Sequence, residues 1–257
     1  SKPLPVEIIT QPAQLGAAVR ELAGSSVLAL DTESNSRHYY PEQFCLIQIA
    51  SRHKVYIIDT IALPDIAPLG DLLTDVSIEK VIHSADYDIR SFDRHSGLHI
   101  RGVFDTSIAA RFTGMTRLGL EGVIRDVLGI NIDKSKALQR SDWGRRPLSA
   151  QALQYAASDV RHLIILREML EQKLQSLGRA AWVAEECARI EEVRYTLPDM
   201  ENAYLSVKGA KDLDGRQLAV LRSLWLFREE AAIRQHRPPF FVLPDTALIF
   251  LAIFKIV

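Results

Sequence analysis

The sequence Val27-Leu28-Ala29-Leu30-Asp31 is a short apolar run that ends in a carboxylate. It opens a stretch, residues 26–105, in which such runs alternate with helical periodicity, and this alternation predicts an α/β sheet. The predicted strands cover residues 27–31, 45–50, 55–59, 80–83 and 102–104. Gaps too short for a helix separate the first three strands, which indicates an antiparallel meander, and the later strands should join in parallel. We therefore expect an α/β fold with a mixed sheet of about five strands flanked by helices.

Helical periodicity takes over after residue 105 and predicts helices over 108–112, 120–128 and 149–174. The last of these is the longest, and Ser149 stands at its N-cap position. The stretch from Tyr195 to Gly209 is polar and contains Pro198, which is typical of a linker. The predicted organisation is a first domain over 1–195, a linker over 196–211 and a small helical domain over 212–257.

Composition is that of an ordinary globular protein, with 47% apolar and 25% charged residues. No run of about 18 apolar residues could cross a bilayer, and no basic-then-apolar leader opens the sequence. Cys45 and Cys187 are far apart and lie in apolar segments, so we expect two buried thiols rather than a disulfide or a metal site. These features predict a cytoplasmic protein without a membrane partner.

The formal net charge of −1 does not fit a strongly basic domain that gathers polyanions through its overall field. Any nucleic-acid binding must then depend on local patches or metal ions. The basic residues do crowd one stretch between two helical patterns: Lys134, Lys136, Arg140, Arg145 and Arg146. Taken alone, such a run favours a solvated loop.

Two carboxylates, Asp31 and Glu33, follow the apolar run of the first strand. Because side chains two residues apart in a strand point the same way, these two can share a cation. An acidic pair at a strand end is also a common turn or helix-capping device, and the pair alone favours that structural role.

A second acidic pair, Asp86 and Asp88, falls in the first turn of the helix predicted after the strand at 80–83, where carboxylates suit the helix dipole. The two lie about 200° apart around a helix, so only one can face the strand ends. We predict that Asp88 faces the site and that Asp86 is a dipole or surface residue.

Tyr155 and Asp159 lie one turn apart on the longest predicted helix, away from the centre of its apolar stripe. A structural helix gains little from this pair. A site that needs a carboxylate ligand and a phenol next to the same water would gain a great deal, and the pair therefore indicates chemistry.

Four carboxylates are thus expected to converge from strand ends and helices: Asp31, Glu33, Asp88 and Asp159. Hard oxygen donors suit Mg²⁺ or Mn²⁺, and the sequence lacks the Cys and His spacings of zinc sites. Two such ions about 4 Å apart clamp the attacking and leaving oxygens in phosphoryl-transfer enzymes, and four acidic ligands balance their charge. We predict two divalent metal ions, Mg²⁺ or Mn²⁺.

The order of these motifs, Asp-x-Glu, then His83-x4-Asp88, then Tyr-x3-Asp, resembles that of the DEDDy exonucleases. Within that group, the sequence most resembles the ribonuclease D family, because three longer motifs match it. These are Cys45-Leu46-Ile47-Gln48-Ile49, Lys80-Val81-Ile82-His83 and Ser141-Asp142-Trp143-Gly144-Arg145-Arg146-Pro147-Leu148. The resemblance covers residues 5–195, and three motifs in the right order are specific where each alone is weak. It implies a ribonuclease H-like fold and stepwise release of nucleoside 5′-monophosphates from a 3′ end.

The resemblance also implies a role for each matching residue. Asp31, Glu33 and Asp159 would hold the metal that activates water. Asp31, with Asp88 acting directly or through water, would hold the metal that stabilises the leaving 3′ oxygen. Tyr155 would orient the water or help remove its proton.

Four further residues occupy places that face the substrate groove in relatives: Gln48, His83, Gln139 and Trp143. Aromatic stacking and backbone contacts there would explain single-strand binding without base readout. Plainer alternatives exist, with Gln48 as a polar residue at a sheet edge, His83 as a core histidine and Trp143 as a packing residue. The sequence leaves these alternatives open.

From about Asp212 onward the sequence resembles the start of an HRDC domain, with Gly215-Arg216-Gln217-Leu218-Ala219-Val220-Leu221 and then Trp225. About 45 residues hold an independent core poorly, so we expect this domain to be incomplete in the sequence. The alternative is a plain helical subdomain. An HRDC-like module would contribute to RNA binding and not to catalysis.

The leading hypothesis is a monomeric exoribonuclease acting on single-stranded RNA 3′ ends, such as those of tRNA precursors. An exonuclease for very short oligoribonucleotides is disfavoured by the HRDC-like extension, whereas a DNA exonuclease is barely separated from the leading hypothesis. A non-enzymatic RNA-binding scaffold should lack at least one ligand, and here the four acidic residues and Tyr155 are all present.

Overall fold

The computed structural model describes residues 4–132 and 135–254 and divides into two compact units. The first unit comprises the described residues up to Ser34, together with Phe44–Tyr195. The second comprises Asn35–Gln43 and the described residues from Thr196 onward. A short segment between two strands of the first unit therefore belongs, by its contacts, to the second.

A six-stranded mixed sheet forms the first unit. Its strands are β1 (Val6–Ile9), β2 (Val27–Ser34), β3 (Phe44–Ala50), β4 (Val55–Asp59), β5 (Glu79–Ile82) and β6 (Val103–Asp105). Their order across the sheet is β1-β4-β3-β2-β5-β6. The antiparallel meander β2-β3-β4 and the parallel addition of β5 and β6 are confirmed.

The predicted count of five strands is wrong, because β1 pairs in parallel with β4 at the edge of the sheet. Val6 and Ile8 of this strand are 42% and 41% exposed, and only Ile9 is buried. An edge strand of four residues with one buried side chain has almost no apolar pattern, which is why the sequence does not reveal it.

Helices cover both faces of the sheet, and each face has its own apolar core. Leu28, Leu30 and Ile47 point into the core that includes α1 (Pro12–Leu22), α2 (Gly70–Thr74) and α3 (Asp86–Ser96). Ala29, Leu46 and Ile57 point into the other core. Its helices are α4 (Thr106–Phe112), α5 (Leu120–Leu128), α6 (Lys136–Gln139), α7 (Ala150–Arg161), α8 (Leu163–Ser176) and α9 (Ala180–Glu191).

The single long helix predicted over 149–174 is wrong, because the chain divides there into α7 and α8. At His162, between them, φ is −104° and ψ is −5°, away from regular helical values. Neither Gly nor Pro marks this break, and the apolar spacing runs through it, so the sequence pattern gives no warning. The predicted N-cap is confirmed, since the Ser149 side chain accepts a hydrogen bond from the Ala152 N–H.

The second unit contains α10 (Gly215–Gln235), α11 (Pro239–Val242) and α12 (Asp245–Ile253). Leu221 and Trp225 of α10 pack with Leu248 and Ala252 of α12. The stretch 196–211, predicted as a linker, contains short 3₁₀ helices at Ala203–Ser206 and at its end, Ala210–Asp212. Its side chains Val207 and Ala210 join the same core, so part of the stretch is packed structure.

Cys45 and Cys187 are free and buried, at 0% and 3% exposure, as the sequence predicts. Within the described ranges, none of the helices is both long enough and apolar enough to pass through a lipid bilayer.

Candidate active site

Asp31 and Glu33 lie near the end of β2, the strand between β3 and β5. Both are half-buried, and the period-two geometry of the strand puts them on the face that packs against α7. Asp31 pairs across the sheet with Gln48 and Glu33 with Leu46. Thr32, between the two carboxylates, points the other way.

Helix α7 brings Tyr155 and Asp159 to the same face of the sheet. The two are 4% and 3% exposed, and they lie one helical turn apart. Ala152, Ala156 and Ala157 are buried beside them, and such small side chains let the helix pack closely on β2, β3 and β4. The predicted pair thus faces the strands rather than solvent.

Three carboxylates converge at this point. One ligand oxygen from each of Asp31, Glu33 and Asp159 lies within 4.8 Å of the others, a spacing at which the three could hold one metal ion. Carboxylate oxygens are the donors that Mg²⁺ and Mn²⁺ prefer. The donor set therefore fits the divalent ions predicted from the sequence.

Tyr155 stands next to this acidic group. Burial raises the pKa of its phenol above the usual range, and the negative charges of Asp159, Glu33 and Asp31 raise it further. A phenol that keeps its proton can donate a hydrogen bond to an oxygen beside the carboxylates. Orientation of a water is then the simplest role for Tyr155.

Asp88 is buried at 4% exposure but is not one of the three residues whose ligand atoms lie within 4.8 Å. It lies against β2, where its Oδ1 accepts a hydrogen bond of 2.5 Å from the Thr32 hydroxyl. Burial raises the pKa of Asp88 to about 7, although the hydrogen bond from Thr32 opposes the shift. Asp86 is exposed and pairs with Arg90 at 2.8 Å, whereas Asp88 is buried; that Asp88 belongs to the site stays a prediction.

Two residues that were not predicted from the sequence, Thr32 and Asp105, orient Asp88. Thr32 donates to it directly. Asp105, at the end of β6, accepts hydrogen bonds from the backbone N–H groups of Ser84 and Ala85 at 3.0 and 2.8 Å and so holds the turn that leads into α3. The signal that could have found them is position in the sequence: Thr32 lies between the two strand carboxylates, and Asp105 directly follows the strand predicted over 102–104.

The four residues expected to contact substrate lie in different environments. Gln48 and Trp143 are 0% and 1% exposed, so neither offers a surface to a ligand in this structure. His83 is half-buried, with its Nδ1 2.8 Å from the Thr106 hydroxyl, and Gln139 is exposed on α6. Lys134, part of the predicted basic stretch, lies outside the described residues.

Trp143 packs beside Tyr155 of the candidate site. Its ring centroid lies 6.0 Å from that of Tyr155, at an interplanar angle of 40°. Its segment is fastened to the sheet by Arg146, whose Nε and Nη2 each donate to Asp59 at 2.6 Å. Burial acts to raise the pKa of Asp59, but Arg146 and the backbone N–H groups of Ala62 and Ile61 outweigh it, and the net shift is downward.

A mixed α/β sheet with carboxylates from a central strand and a Tyr/Asp pair from a facing helix is an arrangement suited to metal-dependent phosphoryl-transfer enzymes. Residues 6–175 match the family model described as 3′-5′ exonuclease. The chain therefore belongs to the 3′-5′ exonuclease family, which depends on divalent metal ions.

Several curated relatives carry the ribonuclease D name, which confirms the resemblance inferred from the motifs. The chain is 37% identical over 247 residues to a ribonuclease D of Shewanella sp. (strain ANA-3), an alignment that covers 96% of this chain and 63% of that protein. The chain thus spans less than two thirds of this curated relative.

Two crystal structures have the same fold. The catalytic core of RRP6 from Trypanosoma brucei has a TM-score of 0.87 at 26% identity, over 97% of this chain and 70% of that one. Escherichia coli RNase D has a TM-score of 0.80 at 28% identity, over 97% of this chain and 66% of that one. The mixed sheet flanked by helices is confirmed by both, whereas the HRDC-like character of the second unit stays a prediction.

Proposed function

We propose that this chain is a 3′-5′ exoribonuclease that hydrolyses single-stranded RNA 3′ ends to nucleoside 5′-monophosphates. The observation that carries the proposal is the meeting of Asp31, Glu33 and Asp159 within 4.8 Å, beside Tyr155, in a chain of the 3′-5′ exonuclease family. The Escherichia coli relative is described as an exoribonuclease involved in structured RNA processing. That description supports RNA as the substrate class, within which tRNA precursors are the more specific proposal.

Asp31, Glu33 and Asp159 would hold one divalent ion, and Asp31 with Asp88 a second. When bound, two such ions polarise the phosphate and stabilise charge on the attacking and leaving oxygens. Tyr155 would direct a lone pair of the attacking water toward phosphorus by donating its phenolic hydrogen bond, a task of geometry rather than of acidity. Thr32 would act through Asp88, because its hydroxyl fixes one carboxylate oxygen.

Substrate binding in this proposal depends on local features, because the overall net charge is −1. Gln139 is the exposed candidate for a backbone contact, and the exposed Arg140 follows it in the chain. Gln48, His83 and Trp143 would act by shaping the floor of the site. A monomer in the cytoplasm is the simplest setting, since two buried thiols fit a reducing compartment.

The test is a time course on 5′-labelled single-stranded RNA and on DNA of the same sequence, with Mg²⁺, Mn²⁺ or EDTA. We expect a metal-dependent ladder that shortens from the 3′ end of RNA, and its loss in Asp31→Asn and Tyr155→Phe. Faster shortening of DNA would move the assignment to a DNA exonuclease. Binding of RNA without shortening of any substrate, from about two to thirty nucleotides, would leave an RNA-binding scaffold.

A further inference from the structure

Tyr87, in the first turn of α3, is an aromatic residue that the proposed function does not use. It directly precedes Asp88 in the chain and is 44% exposed, whereas Asp88 is buried. One turn of helix thus places a carboxylate inside the protein and a phenol ring at its surface. A single exposed aromatic residue is ordinary by itself, so its position decides whether it has a role.

Two hydrogen bonds join this turn of α3 to the end of β2. The Thr32 hydroxyl donates to Asp88 at 2.5 Å. The Ser34 and Tyr87 hydroxyls share a second hydrogen bond. Glu33 lies between Thr32 and Ser34 in the chain, and neighbouring Cα atoms are about 3.8 Å apart. The Tyr87 hydroxyl is therefore held at the residue next to one of the three converging carboxylates.

The Tyr87 side chain is held at both of its ends. Its backbone belongs to α3, which packs through Ile89 and Phe92 into one apolar core of the sheet. Its hydroxyl is held at β2 by Ser34. A ring that is already fixed loses little side-chain freedom when a flat ligand stacks on it, and that loss is one of the costs of binding.

Asp88 determines the part of the substrate that lies near Tyr87. In the proposed function, Asp88 belongs to the half of the site that stabilises the leaving 3′ oxygen, and Tyr155 belongs to the half that orients the attacking water. These two oxygens lie on opposite sides of phosphorus in an in-line displacement. Helices α3 and α7 likewise pack on opposite faces of the sheet. Tyr87 therefore lies on the side of the leaving oxygen, which belongs to the penultimate nucleotide.

The base is the part of that nucleotide that best fits the surroundings of Tyr87. Asp86 and Asp88 flank Tyr87 in the chain, and their carboxylates disfavour a backbone phosphate against the ring. Base–aromatic stacking contributes about 1–3 kcal/mol per base and tolerates any sequence, because every base has a π-face. The overall net charge of −1 does not attract RNA, so local contacts of this kind must supply affinity.

We propose that the Tyr87 ring stacks on the base of the penultimate nucleotide of the substrate, and that Ser34 is the positioning residue that holds the ring. The inference rests on the proposed function, which supplies the side of the leaving oxygen. The ring then holds the nucleotide that becomes the next 3′ end. Purines, with the larger ring surface, should be held more tightly there than pyrimidines.

The experiment pairs variants of the full chain with RNAs that lack one base. Tyr87→Leu removes the ring, whereas Tyr87→Phe and Ser34→Ala each remove one hydroxyl of the shared hydrogen bond. Trp182→Leu is the matched control, because Trp182 is a 55% exposed aromatic residue on α9. The 5′-labelled RNAs are intact, abasic at the penultimate nucleotide or abasic at the terminal one. Single-turnover rates against enzyme concentration give the saturated rate and the half-saturating concentration.

Binding is also measured without turnover. An RNA with 2-aminopurine at the penultimate position is titrated with each variant in EDTA, and quenching of its fluorescence reports stacking of that base. Thermal unfolding is followed for every variant.

We expect Tyr87→Leu to raise the half-saturating concentration for intact RNA about 5- to 50-fold, the loss of one stacked base, and to change the saturated rate by less than about threefold. Removal of the penultimate base should cost wild type a similar factor and should cost Tyr87→Leu little more. Removal of the terminal base should add in full to the effect of Tyr87→Leu. Tyr87→Phe and Ser34→Ala should each stay within about fivefold of wild type, and Trp182→Leu within about twofold.

Equal penalties in wild type and Tyr87→Leu for the missing penultimate base would overturn the inference, and so would coupling to the terminal base instead. If Tyr87→Phe is as impaired as Tyr87→Leu, Tyr87 only fastens α3 to β2. If wild type shortens no RNA, the proposed function fails. The titration in EDTA then still decides the stacking, which requires quenching by wild type and Tyr87→Phe and its loss in Tyr87→Leu.

Discussion

The four acidic residues predicted for the candidate site do not share one environment, although the sequence motifs do not distinguish among them. One carboxylate oxygen from each of Asp31, Glu33 and Asp159 lies within 4.8 Å of the others, whereas Asp88 lies against Thr32. The sequence predicts which aspartate of the Asp86/Asp88 pair turns inward, because helical geometry separates the two by about 200°. It does not predict that a threonine hydroxyl would bind the inward one, since that contact joins residues 56 positions apart.

Asp88→Asn should lower the exonuclease rate by roughly 100-fold or more, because the site loses a ligand charge that balances a divalent ion. Asp86→Asn is the matched control, and we expect its rate within about threefold of wild type, because its exposed ion pair with Arg90 is worth little. Rates at saturating Mg²⁺ check both variants. If both variants lost the same fraction of the exonuclease rate, Asp88 would not be a ligand of the site.

Gln48 is a predicted substrate contact that the structure buries completely, on the same face as Asp31. Among the described residues, neither its amide nitrogen nor its amide oxygen has a hydrogen-bond partner. An unsatisfied buried amide costs about 1–3 kcal/mol. A polar residue kept at such a cost, next to the acidic group, is one whose value lies in function rather than in folding.

Gln48→Met, which keeps the side-chain length and removes the amide, should raise the free energy of unfolding by about 1 kcal/mol. The same variant should lower the exonuclease rate by roughly tenfold or more, because it removes the amide dipole of Gln48 from beside Asp31. Urea denaturation and single-turnover rates give the two values. Reduced stability with an unchanged rate would mean that Gln48 is a packing residue.

At the scale of elements, strong periodicity was predictable and irregular or edge positions were not. The meander β2-β3-β4 follows from short gaps, and the N-cap of α7 follows from Ser149. The edge strand β1 and the break at His162 depend on tertiary contacts that leave no local signal. Trp143 is the corresponding case in the site, because stacking on a base and packing beside Tyr155 require the same residue type.

The segment that leads into α7 is held by an ion pair between Arg146 and Asp59. From the sequence alone, Arg146 was predicted to belong to a solvated basic loop. Arg146 donates twice to Asp59 and also to the Trp143 carbonyl at 2.6 Å. Asp59 is 5% exposed, so loss of the guanidinium would leave a buried carboxylate without its main partner. This clamp connects β4 to the segment before the helix that carries Tyr155 and Asp159.

Arg146→Ala should destabilise the protein by about 2–3 kcal/mol, because it breaks a largely buried ion pair. Arg145→Ala, at the exposed neighbouring position, should change stability by less than about 0.5 kcal/mol. Chemical denaturation of both variants measures the difference. If Arg145→Ala proves the more damaging of the two, the clamp is not what holds this segment.

At the scale of the whole molecule, the site should couple metal binding to stability. Three carboxylates within 4.8 Å repel one another until a cation joins them. In EDTA, Glu33→Gln should therefore unfold at a temperature equal to or above that of wild type. With Mg²⁺ at about 100 times its dissociation constant, wild type should gain about 2.7 kcal/mol and become the more stable of the two.

Thermal unfolding with and without Mg²⁺ measures this reversal, and about 2–4 °C per kcal/mol is expected for a chain of this size. Glu230→Gln, which lies in the second unit, should respond to Mg²⁺ as wild type does. An equal Mg²⁺ response in Glu33→Gln and wild type would show that Glu33 takes no part in binding the ion.

The burial of both native cysteines makes the chain a suitable background for labelling at one introduced cysteine. Cys45 and Cys187 are the only two cysteines, and burial raises the pKa of Cys187 to about 11. A thiol that is neither exposed nor ionised near neutral pH reacts slowly with maleimides. In Ser36→Cys the new thiol, at an exposed position between β2 and β3, would then take up a fluorophore selectively.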